Sequence, residues 1–401
     1  MNTHQYIELE HRYSAHNYHP LPVVLSRGEG PYVWDVEGKR YLDFLSGYSA
    51  VNQGHCHPRL VNALVEQASK LTLTSRAFHS DKLGEYAEFI TQYFEYDKVL
   101  PMNTGVEAVE TAIKITRKWG YEVKGIPDGQ AKIVVCEHNF HGRTSTVVSF
   151  STDPTARAHF GPYMPGFITI PYNDVSALEA ALEDSNVAGF LVEPIQGEAG
   201  VVVPDEGYLA KCKSLCEKKR VLFMADEIQT GLGRTGKMLA CDHEGVRPDV
   251  LILGKALSGG LLPISAVLTD NEVMDCIHPG EHGSTFGGNP LACAVAMEAL
   301  KVIQEEGLME NAANLGELLR AGIRSLNSPM ISLVRGKGLL NAIVINDPNP
   351  DAAWDLCLRM KEHGLLAKPT HGDKIRFAPP LVITQTQVED AIGIINGSLE
   401  S

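Results

Sequence analysis

Residues 187–193 read VAGFLVE, residues 221–231 read VLFMADEIQTG, and residues 250–255 read VLILGK. Each is a short apolar run that stops at a charge: Glu193, Asp226 with Glu227, and Lys255. A strand with one wet face alternates apolar and polar residues, because successive side chains point to opposite sides. Unbroken runs belong to strands covered on both faces. Working outward, similar runs occupy 132–136, 167–171 and 264–268. Helical patterns sit between them at 176–183, with Asp174 near its start, and at 206–219. This alternation predicts an α/β layer on a mostly parallel sheet. In open sheets of that kind ligands bind outside the carboxyl ends of the strands, which is where the three charges fall.

Further along, the texture changes. Asn289-Pro290 predicts the start of a helix over 291–306, since Asn caps well and Pro is tolerated in a first turn. Gly307 should end it. A helix over 312–326 and strands over 331–334, 339–345 and 375–378 then suggest a smaller α+β domain. The first stretch, rich in His, Tyr and Pro, suggests an extended arm. The expected division is an arm over 1–48, a large domain over 49–294 and a small domain over 295–401.

The chain has 401 residues, of which 44% are hydrophobic, enough for two or three domains of ordinary size. Lys and Arg number 35 against 49 Asp and Glu, a formal net charge of −14. That balance excludes nucleic acid and anionic membrane as expected partners, because both need a basic surface. No apolar run approaches the ~20 residues of a membrane span. The opening MNTHQYIELEHRYSAHNYHP has no apolar core for secretion, and Glu8 and Glu10 make it acidic for an import signal, so the expected location is cytoplasmic. The eight cysteines form no C-x-x-C pair and are expected as free thiols. His55-Cys56-His57 could be a metal corner, but no carboxylate or second cluster accompanies it, and no metal is expected.

Two glycine motifs bear on phosphate. Residues 231–237, GLGRTGK, fit G-x-G-x-x-G and nearly fit the nucleotide P-loop. Met238 stands where the P-loop needs a hydroxyl, and Asp226 to Thr230 separate the glycines from their strand. A mobile loop beside an active site is the reading that remains. Residues 103–107, NTGVE, are more telling: Thr104 and Glu107 form a capping box, and Gly105 opens a helix over 108–119. Free N–H groups at such an end bind an anion, and glycine lets it come close. A phosphate cradle, a lysine and an acid at neighbouring strand ends are the parts pyridoxal phosphate needs: an amine to bond its carbonyl and a carboxylate to keep its ring nitrogen protonated.

The segments SGYSAVNQGHCHP, PMNTGVEAVETAIK, FHGRT, EPIQGEAGVVVP, DEIQTGLGRTG, LGKALSGG, HGSTFGGNP and KIRFAPPL carry a resemblance over nearly the whole chain. They resemble the class III, fold type I pyridoxal-phosphate aminotransferases, and among these the ornithine aminotransferases. The resemblance implies that Lys255 is the Schiff-base lysine and proton carrier and that Asp226 is the partner of the pyridinium. It implies that Gln229 and Ile228 lie near the ring hydroxyl, Gly105 and Val106 hold the phosphate, and Phe140 stacks on the ring. Thr285 would be a phosphate ligand supplied to the neighbouring subunit, hence a homodimer with shared active sites. Arg143 and Arg376 would clamp carboxylates, Glu198 would pair with Arg376 as a switch, and Tyr18 and Tyr48 would contact the ornithine head group. His141, at a position often aromatic in such proteins, is a spacer or a lining of the substrate pocket. The implied activity transfers the terminal amine of L-ornithine to 2-oxoglutarate. A related amine donor, N-acetylornithine or 4-aminobutyrate, is the alternative; an isomerase needing no oxo acid and a non-catalytic binder are more distant ones.

Overall fold

The computed structural model describes residues 1–400. Its centre is a seven-stranded sheet. In chain order the strands are β1 (Lys98–Met102), β2 (Lys132–Cys136), β3 (Phe167–Ile170), β4 (Val187–Val192), β5 (Leu222–Asp226), β6 (Val250–Leu253) and β7 (Ser265–Thr269). Across the sheet they run β1-β7-β6-β5-β4-β2-β3. Only β7 is antiparallel to its neighbours. Every residue of β4, β5 and β6 is buried, as their unbroken apolar runs require. The sequence reading placed six of the seven strands and missed β1. That edge strand is broken by Pro101, which cannot donate to a ladder and hides the pattern.

Helix Gly105–Trp119 packs on the sheet through Val109, Ala112 and Ile113. Its capping box is formed: the Thr104 N–H donates to Glu107 at 2.6 Å, and the Thr104 hydroxyl accepts from the Glu107 N–H at 3.4 Å. Helices Val175–Ala181 and Tyr208–Lys218 cover the other face, the first capped by Asp174. Helix Pro290–Glu305 starts as expected, with the Asn289 side chain accepting the Ala292 N–H at 2.9 Å. Gly307 both ends it and starts Leu308–Ser325, because its left-handed φ of 64° turns the chain at once into the next helix.

The C-terminal part holds a four-stranded antiparallel sheet, ordered Ile331–Lys337, Leu340–Ile345, Lys374–Phe377, Lys368–Thr370. The expected extended arm differs from what is found. Residues Thr3–Tyr13 form an exposed helix, and Leu25–Glu29, Tyr32–Asp35 and Arg40–Asp43 form a meander whose last strand pairs with Leu365–Leu366. Residue 295 falls inside helix Pro290–Glu305, whose buried Ala296 and Ile303 share one core with Leu253 and Ile395. Among the described residues, no helix is long and apolar enough to cross a membrane, and no cluster of metal ligands exists. His55 pairs with Asp43 and His57 with Glu306, so the two histidines face different partners.

Candidate active site

Parallel strands deliver their carboxyl ends to one edge. Glu193 follows β4, Asp226 ends β5, and Lys255 follows β6 after Gly254. Asp226 lies in register with Ile252, so the acid and the lysine are neighbours across the sheet edge. The start of helix Gly105–Trp119 closes the same space. The result is a cavity of about 190 Å3 whose walls include Gly105, Val106, Phe140, Asp226, Ile228, Gln229 and Lys255. Seven of the eight residues expected around the cofactor are thus brought together. Thr285 is not: it stands exposed on the segment 281–288.

Local geometry makes this pocket tight. A Cβ on Gly105 would come 3.1 Å from the Ile228 side chain. Lys255 has φ 42°, a left-handed conformation that costs free energy in a non-glycine residue and marks a constrained site. Among the described residues its ammonium has no hydrogen-bond partner. Burial pulls that ammonium below the usual lysine range, while the charges of Glu198 and Asp226 oppose the fall. Asp226 accepts the Ile228 N–H at 3.1 Å and contacts the His141 Nδ1 at 2.6 Å. Burial pushes the Glu193 carboxyl up to about 8; its oxygen accepts the Phe140 N–H at 2.9 Å.

A second cavity of about 340 Å3 shares Phe140 and Lys255 with the first. Tyr18, Tyr48, Arg143, Glu198 and Arg376, the five residues expected at the substrate, all line it. Arg376, on strand Lys374–Phe377, donates to Glu198 at 2.7 Å and to the Gln229 amide oxygen at 3.1 Å. Gln229 in turn donates to Glu198 at 3.0 Å. Its side chain fits there only because residue 197 is glycine; a Cβ would lie 1.9 Å from its oxygen. Burial alone would raise the Glu198 carboxyl, but the guanidinium of Arg376 and the ammonium of Lys255 bring it down to about 2. The Arg376 guanidinium also lies 5.2 Å from the centre of the Tyr48 ring.

Three features escaped the sequence reading. His141 is no bland spacer and does not line the substrate cavity; it is 3% exposed and bonded to Asp226, a contact across 85 positions that no spacing reveals. Lys368 and Thr370 line the substrate cavity, and the Thr370 hydroxyl donates to the Glu198 carbonyl at 2.7 Å. The loop 231–236 is not a mobile flap. Arg234 is fully buried and donates to the carbonyls of Leu339 and Pro379 and to the Asn52 side chain.

A half-buried lysine that shares one cavity with a strand-end acid and a glycine-opened helix start, beside a second cavity lined by two arginines, is the arrangement of a fold type I pyridoxal-phosphate enzyme of the aminotransferase kind. The family model "Aminotransferase class-III" matches residues 13–399, and the chain belongs to that family. Over 392 residues the chain is 64% identical to the mitochondrial ornithine aminotransferase of Drosophila melanogaster, covering 98% of this chain and 90% of that protein. The crystal structure of the ornithine aminotransferase of Toxoplasma gondii superposes with a TM-score of 0.98 at 51% identity, covering 100% of this chain and 95% of that one. A structure named acetylornithine aminotransferase, from Elizabethkingia anophelis, gives a TM-score of 0.92 at 60% identity, covering 100% of this chain and 99% of the other. The chain is therefore a pyridoxal-phosphate-dependent aminotransferase. Its residues fit that group: a partnerless amine at Lys255, an ionisable acid at Asp226 and a glycine-opened helix start at Gly105 face one cavity.

Proposed function

We propose that this chain transfers the δ-amino group of L-ornithine to 2-oxoglutarate, giving L-glutamate and glutamate-5-semialdehyde, which cyclises to pyrroline-5-carboxylate. The observation that carries this reading is the Glu198–Arg376 pair at 2.7 Å inside the cavity that also holds Tyr18, Tyr48 and Lys255. A site for both substrates must accept a diamino acid by its terminal amine, then a dicarboxylate by its α-carbon. With Glu198 on Arg376, the second clamp is neutralised, so a terminal amine meets no competing cation there. When a dicarboxylate enters, its α-carboxylate displaces Glu198 and pairs with Arg376, while Arg143 takes the distal carboxylate.

Bound in the inner cavity, pyridoxal phosphate would supply a carbonyl that takes up the amine and a ring that draws electrons from the adjacent carbon. Lys255 is the amine that would bond that carbonyl and, when free, would be the base that carries the proton away from the substrate carbon. Its lowered proton affinity suits that work. Asp226 would hold the ring nitrogen protonated, the N–H groups at Gly105 and Val106 would hold the phosphate, and Phe140 would cover the ring. Ile228 and Gln229 would lie by the ring hydroxyl, and Tyr18 and Tyr48 would hold the ornithine head.

We further infer a homodimer, in which Thr285, exposed beside the 56%-exposed Phe286, reaches the phosphate in the partner's site. On this reading residues 49–294 bind the cofactor and residues 1–48 and 295–401 close over the substrate. A reducing compartment, the cytoplasm in our proposal, suits the eight unbonded cysteines; fractionation would tell it from the mitochondrial location in the Drosophila relative's name.

The test is one half-reaction. The loaded protein is mixed with L-ornithine, N-acetylornithine or 4-aminobutyrate, without oxo acid, and its visible absorbance followed. Rapid bleaching with ornithine alone, reversed by 2-oxoglutarate, is the expected result. Bleaching by N-acetylornithine in its place would move the chain to the activity named for the Elizabethkingia protein.

A further inference from the structure

The C-terminal sheet sets two cations side by side. Strand Lys368–Thr370 runs antiparallel to strand Lys374–Phe377, and the register places Lys368 against Arg376 and Thr370 against Lys374. Residues directly opposed in such a pair share one face of the sheet, with Cβ atoms roughly 5 Å apart. This face is turned to the loop 197–200. Arg376 donates to the Gly197 carbonyl at 3.3 Å, and the Thr370 hydroxyl donates to the Glu198 carbonyl at 2.7 Å. A Cβ on Gly200 would lie 2.4 Å from the Lys374 side chain. The short strand is thereby fixed with Lys368 on the wall of the substrate cavity, beside Arg376 and Tyr18.

Like charges directly opposed across a sheet are destabilising. The protein compensates one of the two: Arg376 has Glu198 at 2.7 Å. Lys368 has no carboxylate partner among the described residues; its ammonium stands 6.0 Å from the centre of the Tyr18 ring. Lysines on edge strands commonly guard against edge-to-edge pairing, but they do so from solvent. Lys368 is half-buried and faces the cavity. Arg143, Lys255, Lys368 and Arg376 together line that cavity against a single carboxylate, Glu198. The wall is therefore short of negative charge, and the shortage lies on the side of Tyr18, whose 66% exposure marks the mouth.

We propose that Lys368 is a specificity-determining residue that binds, together with Arg143, the substrate carboxylate farthest from the reacting carbon. The inference rests on this cavity being the substrate site. Both proposed substrates carry such a group: ornithine reacts at its δ-carbon and 2-oxoglutarate at its keto carbon, and each ends in a carboxylate at the other end of the chain. In ornithine a cationic α-amine adjoins that carboxylate and opposes the ammonium of Lys368. The oxo acid has no such amine, so it depends on Lys368 the more.

The experiment compares substrates with and without the far carboxylate in single half-reactions of the loaded protein, with thermal melting to confirm folding. The pairs are 2-oxoglutarate with 2-oxobutanoate, and L-ornithine with 1,4-diaminobutane. Lys368→Met keeps most of the aliphatic stem and deletes the charge. It should lower kcat/KM for 2-oxoglutarate about tenfold, the scale of one charge-assisted hydrogen bond, and for ornithine by less. The two truncated compounds should react as they do with the parent. Lys368→Arg keeps a cation at the mouth and should recover most of the loss. If the parent itself does not prefer 2-oxoglutarate to 2-oxobutanoate, the cavity does not read the far carboxylate, and the reading of the substrate site falls together with the inference. If the parent prefers 2-oxoglutarate and Lys368→Met keeps the same preference, Lys368 alone is overturned.

Discussion

The floor and the face of the site are built differently. The floor, where the cofactor is proposed to lie, comes from strand ends and a helix start: Glu193, Asp226, Lys255 and Gly105. Its two carboxyls are buried and Lys255 is half-buried, and the sheet register sets their spacing. The face, where substrate is proposed to bind, comes from segments far apart in the chain. Tyr18 is 66% exposed on the N-terminal arm, Tyr48 lies in a short turn, and Arg143 is on an exposed loop. Of the five residues expected at the substrate, Arg376 alone is anchored in a sheet, at 2% exposure. The difference separates two tasks. The chemistry needs a preorganised framework that costs nothing to rearrange during reaction. Two unlike substrates need groups that move, and loops on a rigid scaffold can move.

If the floor carries the chemistry, its loss is the largest effect obtainable. Lys255→Ala should lower turnover by at least about a thousandfold, since it removes both the bonding amine and the base. No absorbance change should follow ornithine, while the melting curve of the folded protein stays close to that of the parent. Appreciable turnover in that variant would break the division at its root.

Arg376→Gln tests the sheet-anchored clamp of the face. It should lower kcat/KM for 2-oxoglutarate about a hundredfold, the scale of a buried bidentate ion pair. The ornithine half-reaction should fall far less. The change also strands Glu198 without its counter-ion, at a cost of roughly 3 kcal/mol in unfolding experiments. Equal losses in both half-reactions would show that Arg376 serves the framework and not the second substrate.

Glu198→Gln is a smaller and opposite cut. It leaves Arg376 charged and uncovered, so L-glutamate and 4-aminobutyrate should gain on ornithine by about tenfold in relative kcat/KM. The pH dependence sharpens this. The folded Glu198 carboxyl, at about 2, lies below its ordinary value. The pair's stabilisation is therefore fully present above the ordinary carboxylate range and is lost only as pH falls through about 2. Between pH 6 and 9 Glu198 stays ionised, so the preference between ornithine and glutamate in the parent should show no titration traceable to it. A switch that followed pH in that interval would need another group.

The same contrast governs what the sequence disclosed. Asp226 and Lys255 were visible as charges ending apolar runs, and Gly105 as a glycine within a capping box, because short-range pattern and strand-end geometry coincide there. Nothing local marks Tyr18, Arg143 or Glu198, which became visible only through resemblance to a family. Contacts between distant segments stayed hidden. His141 reaches Asp226 from another strand's loop, and Arg234 reads as one more residue of a glycine-rich loop. Arg234 in fact ties that loop to Leu339, Pro379 and Asn52, near the segments that carry Arg376 and Tyr48. Burial draws its guanidinium down to about 9, which still leaves it charged at neutral pH. The edge strand β1 was lost for a smaller reason, the proline in its middle.

Tyr48 gives the finest cut between framework and face. It has φ 61°, and its ring lies under the Arg376 guanidinium, so it could act through its hydroxyl on substrate or through its ring on Arg376. Tyr48→Ile should lower ornithine use relative to 4-aminobutyrate by about fivefold, the worth of one hydrogen bond. It also forces a β-branched residue into the left-handed region, which costs roughly 1–2 kcal/mol and blurs the reading. Tyr48→Phe avoids that, because the backbone and the ring over Arg376 stay the same and only the hydroxyl goes. If the hydroxyl holds the ornithine head, Phe and Ile should shift the donor ratio alike, with Ile alone lowering the melting temperature. A silent Phe variant beside a defective Ile variant would assign Tyr48 to the support of Arg376, and the face would then begin at Tyr18 and Arg143.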